Sequence, residues 1–312
     1  MTLTYANMPL DRGTNQRKDN HWLQTQFNDQ HTFFCLIKDG KNYFQKGGEI
    51  APYFLAKHEL AEVDIDQCVY LGKKPSGTFF AVDFNKLRYS TQEALNINGQ
   101  WLALKQATSL LAKEDTAILA LAKGLVHWHV SHQYCGQCGN INHSVEAGHA
   151  MQCSECKNMT FPRTDPVVIM LIERMFEDGV PRCLLGRQAN WPNDIYSPLA
   201  GFIDPGETLE EAVIREVLEE TNIHVENPQY ITSQPWPFPA SLMIGFTAIA
   251  TSETIDTSQD DLEQAHWFSR EQLFTFEENK GDKRGMGYKM STGDSISVYL
   301  INAWKDKKIG QH

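Results

Sequence analysis

The sequence predicts an α/β (α+β) protein in which a β-rich first region leads through a cysteine ribbon into a sandwich of strands covered by helices. Three observations carry that expectation. Apolar runs bounded by Gly, Pro and Asp turns dominate residues 31–84, two Cys-x2-Cys pairs stand between residues 135 and 156, and beyond them strand-like runs alternate with helical periodicity. A length of 312 residues suggests about two domains. With the ribbon between them, the boundaries read as 1–130, 131–162 and 163–312.

Residues 1–30 are polar and are expected to be partly disordered. His31–Phe44 reads as a hairpin, because Asp39-Gly40 between apolar runs matches strand twist, and Val69–Phe84 repeats the pattern around Pro75-Ser76-Gly77. From Lys113 to His132 a helix is expected, with Ile118, Leu121, Leu125 and Trp128 at three- and four-residue steps. Pro162 and Pro166 punctuate the entry to a buried strand over Val167–Glu173, and a further strand follows at Cys183–Gly186. After a loop and helix over Gly201–Ile223 come strands at Tyr230–Thr232, Leu242–Ala250 and Ala265–Phe268. Val298, Ile301 and Trp304 then mark a C-terminal amphipathic helix. No internal repeat of fixed period is visible.

Cys135-x2-Cys138 and Cys153-x2-Cys156, fourteen residues apart, have the spacing of a zinc ribbon. A disulfide pair or a redox CxxC is the alternative. Gly136, Gly139 and Asn140 supply turns, and no secretory signal is evident, which favours one structural zinc bound by four thiolates. His127, His129 and His132 lie close in sequence but are assigned to packing or surface roles, since four thiolates already close the site. Cys35, Cys68 and Cys183 stand singly in apolar runs and read as small hydrophobes.

The chemistry concentrates in Gly201–Ile223. Thr208 and Glu211 have capping-box spacing, and Asn222 is a suitable stop, so the helix should begin near Thr208 and end at Asn222. At roughly 100° per residue, Glu216, Glu219 and Glu220 share one face. Three carboxylates in one small volume resist ionising together unless a cation or an arginine compensates them, and oxygen-only ligands favour a hard divalent ion such as Mg2+ or Mn2+. Arg215, four residues from both Glu211 and Glu219, can clamp one or both. A solvated acidic helix face is the bland alternative.

Ser233–Met243, SQPWPFPASLM, is the second notable stretch. Pro235, Pro237 and Pro239 stiffen it, so that Trp236 and Phe238 stand on an extended support where they can stack on a base or pyridine ring. They can equally cover the core.

The full spacing Gly201, Glu207, Arg215-Glu216-Val217, Glu219-Glu220, Asn222-Ile223 resembles the signature of Nudix hydrolases, with Asn222 where the family usually has Gly. A zinc ribbon, this box and SQPWPFPxSLM in that order resemble the NADH pyrophosphatase subgroup, over roughly the last 180 residues. The resemblance implies a Nudix α/β/α sandwich, a degenerate Nudix-like first domain, structural zinc, catalytic Mg2+ or Mn2+, and a homodimer. It implies hydrolysis of NADH and NAD+, and in bacterial members removal of NAD caps from RNA. Glu216, Glu219 and Glu220 match the family's metal carboxylates, Ala200 a backbone ligand, and Asp261 a further metal-binding Glu for which Glu263 is the other candidate. Phe161, Gln234, Pro235, Trp236, Pro237, Phe238, Pro239, Ala240 and Ser241 match substrate-contacting positions. Phe202 is placed to stack on the nicotinamide, Ser297 stands near the adenine side, and Lys105 stands where the family has a substrate-contacting Arg. Arg215 is assigned to orienting Glu219, and Glu207 to a hydrogen-bonding role in the loop or to an outer metal; which carboxylate accepts the proton is left open.

Net charge is −11 with no dense Lys/Arg block, so broad attraction to nucleic acid or an anionic membrane is not expected. No apolar run is long enough to span a bilayer, and a cytoplasmic location is the default expectation. Two other functions stay in view. One is a pyrophosphatase acting on ADP-ribose or nucleotide sugars; the other is a ribbon-based RNA-binding module with an inert box.

Overall fold

A computed structural model describes residues 3–60, 62–192, 194–259, 262–278, 289–290 and 295–312. The chain forms two compact units, Thr2–Thr164 with Trp236–Ala240, and Asp165–Pro235 with Ser241–His312.

In the first unit the N-terminal segment is ordered where it is described, against the expectation from its polarity. Asn20–Asn28 forms α1, capped by Asp19, whose carboxylate accepts the Trp22 N–H at 3.0 Å. Leu23 and Phe27, one turn apart, are buried, as are Tyr5 and Leu10 upstream. A few apolar anchors among polar residues hold the segment, and each packs on strands distant in sequence.

The expected hairpin is Thr32–Lys38 (β1) and Lys41–Gln45 (β2); Asp39 and Gly40 both take positive φ (49° and 73°), as a two-residue turn matching strand twist requires. Then follow β3 (Leu55–Ala56), β4 (Cys68–Lys74), β5 (Gly77–Asp83), α2 (Tyr89–Asn98), β6 (Gly99–Leu102), α3 (Leu104–Ala107) and α4 (Lys113–Ser131). The sheet order is β4-β5-β1-β2-β6, with β3 also pairing β1, and β1 and β5 run parallel. Alternation sorts the strands into two faces. Phe34, Leu36, Phe80 and Val82 pack with Leu23 and Phe27 of α1, while Cys35, Ile37, Phe79 and Ala81 pack with Ile118, Ala122 and Leu125 of α4. Cys35, Cys68 and Cys183 are buried, and burial pushes their thiols up, as small core hydrophobes require.

The ribbon closes this unit with a three-stranded sheet, β7 (Asn142–Val145), β8 (Ala150–Cys153) and β9 (Met159–Thr160), in that order.

The second unit comprises β10 (Asp165–Met175), β11 (Pro181–Gln188), β12 (Leu199–Phe202), α5 (Leu209–Thr221), β13 (Val225–Trp236, whose last residue belongs to the first unit), β14 (Ser241–Ala250), β15 (Leu262–Ser269), α6 (Arg270–Phe274) and α7 (Ile296–Lys305). Its sheet order is β13-β14-β10-β11-β15, with β12 pairing β10 and with β10 parallel to β14. Val168, Met170 and Ile172 pack with Ala212, Val213 and Val217 of α5. Each fully buried valine is worth about 1.5–3 kcal/mol of transfer free energy, so the apolar stripe fixes which face α5 turns outward. On the alternate face buried Glu173 accepts the indole N–H of Trp304 in α7 at 2.7 Å. The result is an α/β/α sandwich.

The two sheets share one topology. Replacing β1 to β6 by β10 to β15 in order reproduces the strand order, the side pairing and the parallel pair. A duplication thus exists where no sequence period is visible. What differs is the segment after the side strand: the second unit has the thirteen-residue α5, the first only short 3-10 turns at Lys57–Leu60 and Ile65–Gln67. Among the described residues, no helix is long and apolar enough to cross a membrane.

Candidate active site

Helix α5 starts and stops where its sequence directs. Thr208 Oγ1 accepts the Glu211 N–H at 3.2 Å, Glu211 Oε2 accepts the Thr208 N–H at 2.8 Å, and Asn222 ends the helix in the left-handed conformation at φ 58°. The Thr208 N–H holds the Glu211 carboxyl below its ordinary range. Glu211 is therefore engaged at the cap, and Arg215 clamps other groups.

Arg215 is the hub. Its Nε and Nη2 donate to Glu207 Oε1 and Oε2 at 2.7 and 2.8 Å, Nη1 donates to Glu216 Oε1 at 2.8 Å and Glu219 Oε2 at 2.9 Å, and Nη2 also donates to the Phe202 carbonyl at 2.9 Å. The planar fork thus binds one loop carboxylate bidentately and brings two helix carboxylates to a single nitrogen. Glu207 also accepts the Asp204 N–H at 3.0 Å. The Arg215 guanidinium, aided by that N–H, holds the Glu207 carboxyl down to about 2, and the three carboxylates drive the arginine's own pKa up.

Glu216 rests on strand β12. A Cβ at Gly201 would lie 1.8 Å from Glu216 Cδ and 2.0 and 2.1 Å from its oxygens, so only glycine leaves room for this carboxylate. Burial raises the Glu216 pKa, and Arg215 opposes that shift. Ala200 is beside Gly201 in β12, paired with Ile169 of β10. Glu220 is buried at the edge of the same helix. Arg215 thus gathers the carboxylates of Glu207, Glu216 and Glu219, oxygen donors of the class a hard divalent cation takes.

Other expected site residues fall in distinct places. Phe202 and Phe161 expose their rings, at 60% and 61%. Gln234 is buried, and its Oε1 accepts the Ile296 N–H at 2.7 Å, which ties β13 to the start of α7. Ser297 is buried too, 2.9 Å from Ser197 Oγ. Glu263, half-exposed, is paired with the buried guanidinium of Arg187, and Asp261 lies outside the described residues. Ser241 opens β14, opposite Asp165 of β10.

Trp236 and Phe238 lie edge to face, with ring centroids 5.2 Å apart, and Tyr5 meets both edge-on at 6.1 and 5.7 Å. Both rings pack on a cluster of Phe44, Leu104, Ala107, Leu119 and Ala120, half-buried in the first unit. Pro235, Pro237, Pro239 and Ala240 complete the loop, which has a cis Phe238-Pro239 bond. Lys105 Nζ stands 5.4 Å from the Trp236 ring centroid. The stretch thus covers a core and presents partly exposed rings as well, two readings the sequence set against each other.

The cysteine quartet forms a metal centre. All four Sγ atoms lie within 4.8 Å of one another, with contacts of 3.4 Å (Cys138 to Cys153 and to Cys156) and 3.7 Å (Cys135 to Cys156). Edges of this length suit a tetrahedron about a zinc with bonds of about 2.3 Å. Two like knuckles build it. Cys135 N–H donates to the Asn140 carbonyl at 2.7 Å and Cys153 N–H to the Asn158 carbonyl at 3.0 Å, while Gly139 and Lys157 take positive φ just after the second cysteine of each. The Asn140 side-chain amide donates to the Cys138 sulfur at 3.6 Å, a contact that favours the thiolate a metal needs. The nearby histidines turn elsewhere: His129 Nε2 is 2.8 Å from the Gly148 carbonyl, and His132 Nδ1 is 2.9 Å from Ser131 Oγ.

Some participants had no local signal in the sequence. The Glu207–Arg215 pair spans eight residues across a loop, and the pairing of Glu263 with Arg187 joins neighbouring strands. Neither of these spacings carries a helix or strand period.

Comparison with known proteins places these features. The NUDIX domain model matches residues 163–287, and the NADH pyrophosphatase zinc ribbon domain model matches residues 131–161. The chain is 36% identical over 285 residues to a human protein named NAD(P)H pyrophosphatase NUDT13, mitochondrial, covering 82% of this chain and 80% of that one. It is 35% identical over 236 residues to the NAD-capped RNA hydrolase NudC of Deinococcus radiodurans, covering 76% and 79%. It is 32% identical over 314 residues to the human NAD-capped RNA hydrolase NUDT12, with 86% of this chain matched but 66% of that protein's length spanned. With its α5 box, its cysteine ribbon and a human relative matched over 80% of its length, the chain belongs to the Nudix hydrolase family, in the group that carries an NADH pyrophosphatase zinc ribbon.

Proposed function

We propose that this protein hydrolyses the diphosphate linkage of NADH and NAD+, giving a nicotinamide mononucleotide and AMP, and acts on the same linkage at NAD-capped RNA 5′ ends. The observation that carries this reading is the arginine-bridged carboxylate cluster whose Glu216 rests on Gly201. The names of the relatives, for NAD(P)H and NAD-capped RNA cleavage, support the substrate class.

In this reading Glu216, Glu219, Glu220 and the Ala200 carbonyl hold Mg2+ or Mn2+. A divalent ion held there would neutralise the diphosphate, lower the pKa of a bound water and stabilise the leaving oxygen. Arg215 keeps Glu216 and Glu219 oriented, and its bidentate grip on Glu207 fixes the loop before the helix. Phe202 offers an exposed ring for nicotinamide stacking, Phe161 a second exposed ring, and Trp236 with Phe238 a platform for a base. Gln234 and Ser297 act from beneath, by fixing β13 and α7. Asp261 is proposed as a further metal ligand, since Glu263 is engaged by Arg187. The bound zinc holds the ribbon folded. A cytoplasmic homodimer completes the reading, and sedimentation of the purified protein tests the assembly.

Rates on NADH, NAD+, ADP-ribose and NAD-capped RNA, measured side by side with Mg2+ and with Mn2+, test the substrate class. Dinucleotide or capped RNA is expected to be cleaved fastest. Preference for ADP-ribose would favour a general pyrophosphatase, and RNA binding without cleavage would favour the inert-box module.

A further inference from the structure

The residue that stands out beyond the Nudix box is Lys123. It is a lysine in the middle of α4 with 8% exposure, and lysine is almost never this buried without a partner. Its Nζ donates to the Pro237 carbonyl at 2.7 Å and stands 5.1 Å from the Phe238 ring centroid. Burial lowers its pKa, so placing an ammonium there carries a cost that an apolar residue would avoid. That cost is attached to one carbonyl. Proline stiffens φ but leaves its carbonyl to be satisfied by others, and Pro237 is the central residue of the Trp236–Phe238 pair. Tyr5 supports the same rings from the N-terminal segment, with its hydroxyl 2.7 Å from Thr108 Oγ1. The ring pair is thus held at its backbone by Lys123 and at its edges by Tyr5.

We infer that Lys123 is a positioning residue for substrate recognition: by gripping the Pro237 carbonyl it sets the pose of the Trp236 and Phe238 rings that receive a base of the dinucleotide. This inference rests on the platform reading proposed above.

The test uses the full-length zinc-loaded protein with Lys123→Met, Lys123→Arg and, in parallel, Trp236→Ala. Hydrogen exchange over residues 233–243 reads the loop, and steady-state kinetics on NADH reads recognition. For Lys123→Met, faster exchange is expected in that segment, where the Phe238 N–H donates to the Trp236 carbonyl at 2.7 Å. KM should rise about tenfold with kcat within about twofold, the pattern of lost uniform binding. Lys123→Arg, which keeps a charged donor, should recover part of the KM. Unchanged exchange in Lys123→Met, or an unchanged KM while Trp236→Ala raises it, would overturn the inference alone. An unchanged KM in Trp236→Ala would instead overturn the platform reading on which it rests.

Discussion

Replacing Gly201 by alanine separates the chemistry of this site from its stability. The new Cβ would stand 1.8 Å from Glu216 Cδ, so the carboxylate has to move by about 1.6 Å or more to regain an ordinary contact. Gly201 is in an extended strand, with φ outside the left-handed region, so alanine suits its backbone. The group that yields is the far end of a flexible side chain, which relaxes cheaply, and Gly→Ala at a compatible position stabilises by about 0.4–1 kcal/mol through the unfolded chain. Stability should therefore hold or rise. Activity should not, because misplacing a reacting or metal-binding group by about 1 Å costs on the order of 100-fold. The expected outcome is a kcat on NADH about 100-fold below wild type at an equal or higher Tm. Gly201→Ala/Glu216→Gln should be no worse than the poorer single variant, since both remove the same carboxylate. Turnover within twofold of wild type in Gly201→Ala would refute the assignment of Glu216 as a group the reaction needs.

Three further outcomes are expected. Glu219→Gln and Glu220→Gln should each lower kcat by orders of magnitude while circular dichroism stays unchanged, because each swaps a charged donor for a neutral isostere on α5. Glu207 has its folded pKa depressed to about 2, so its contribution is present above the ordinary carboxylate pKa and is lost as pH falls through about 2. Denaturant midpoints of Glu207→Gln should therefore fall less steeply than those of wild type between about pH 4.5 and pH 2, and parallel curves would count against the pairing with Arg215. Cys135→Ser and Cys153→Ser should each release zinc, measured by metal analysis, and lower the Tm, because metal binding by a ribbon is folding free energy. A zinc-free wild type would contradict that centre.

Features governed by neighbours in sequence were legible before the fold was known. The capping box of Thr208 and Glu211, the stop at Asn222, the turn at Asp39-Gly40 and the knuckle spacing of the cysteines each depend on residues a few positions apart, and the structure bears each out. Features made by long-range packing were not legible. Tyr5, Leu10, Leu23 and Phe27 are too sparse to show a period, yet each is buried, so polarity alone pointed to partial disorder in the N-terminal segment. The duplicated sheet leaves no fixed period in the sequence, because strand order is a property of pairing; only the family resemblance implied a Nudix-like first domain. At the site, helical spacing put Glu211 and Glu219 equally within reach of Arg215. The fork instead takes Glu219, Glu216 and the loop carboxylate of Glu207, since the cap already holds Glu211. The Trp236–Ala240 loop could be read as platform or as core cover, and only its contacts with Tyr5 and Lys123 show that it packs on the first unit while its rings stay half-exposed.

The most direct measurement is chromatographic product analysis of NADH incubated with wild-type protein and with Glu219→Gln, after metal is stripped and after Mn2+ is restored. Nicotinamide mononucleotide and AMP in equal amounts are expected from wild type with Mn2+, with little from stripped wild type or from the variant. Intact dinucleotide in every sample, or equal cleavage by the variant, would contradict a diphosphate hydrolase built on the carboxylates of α5.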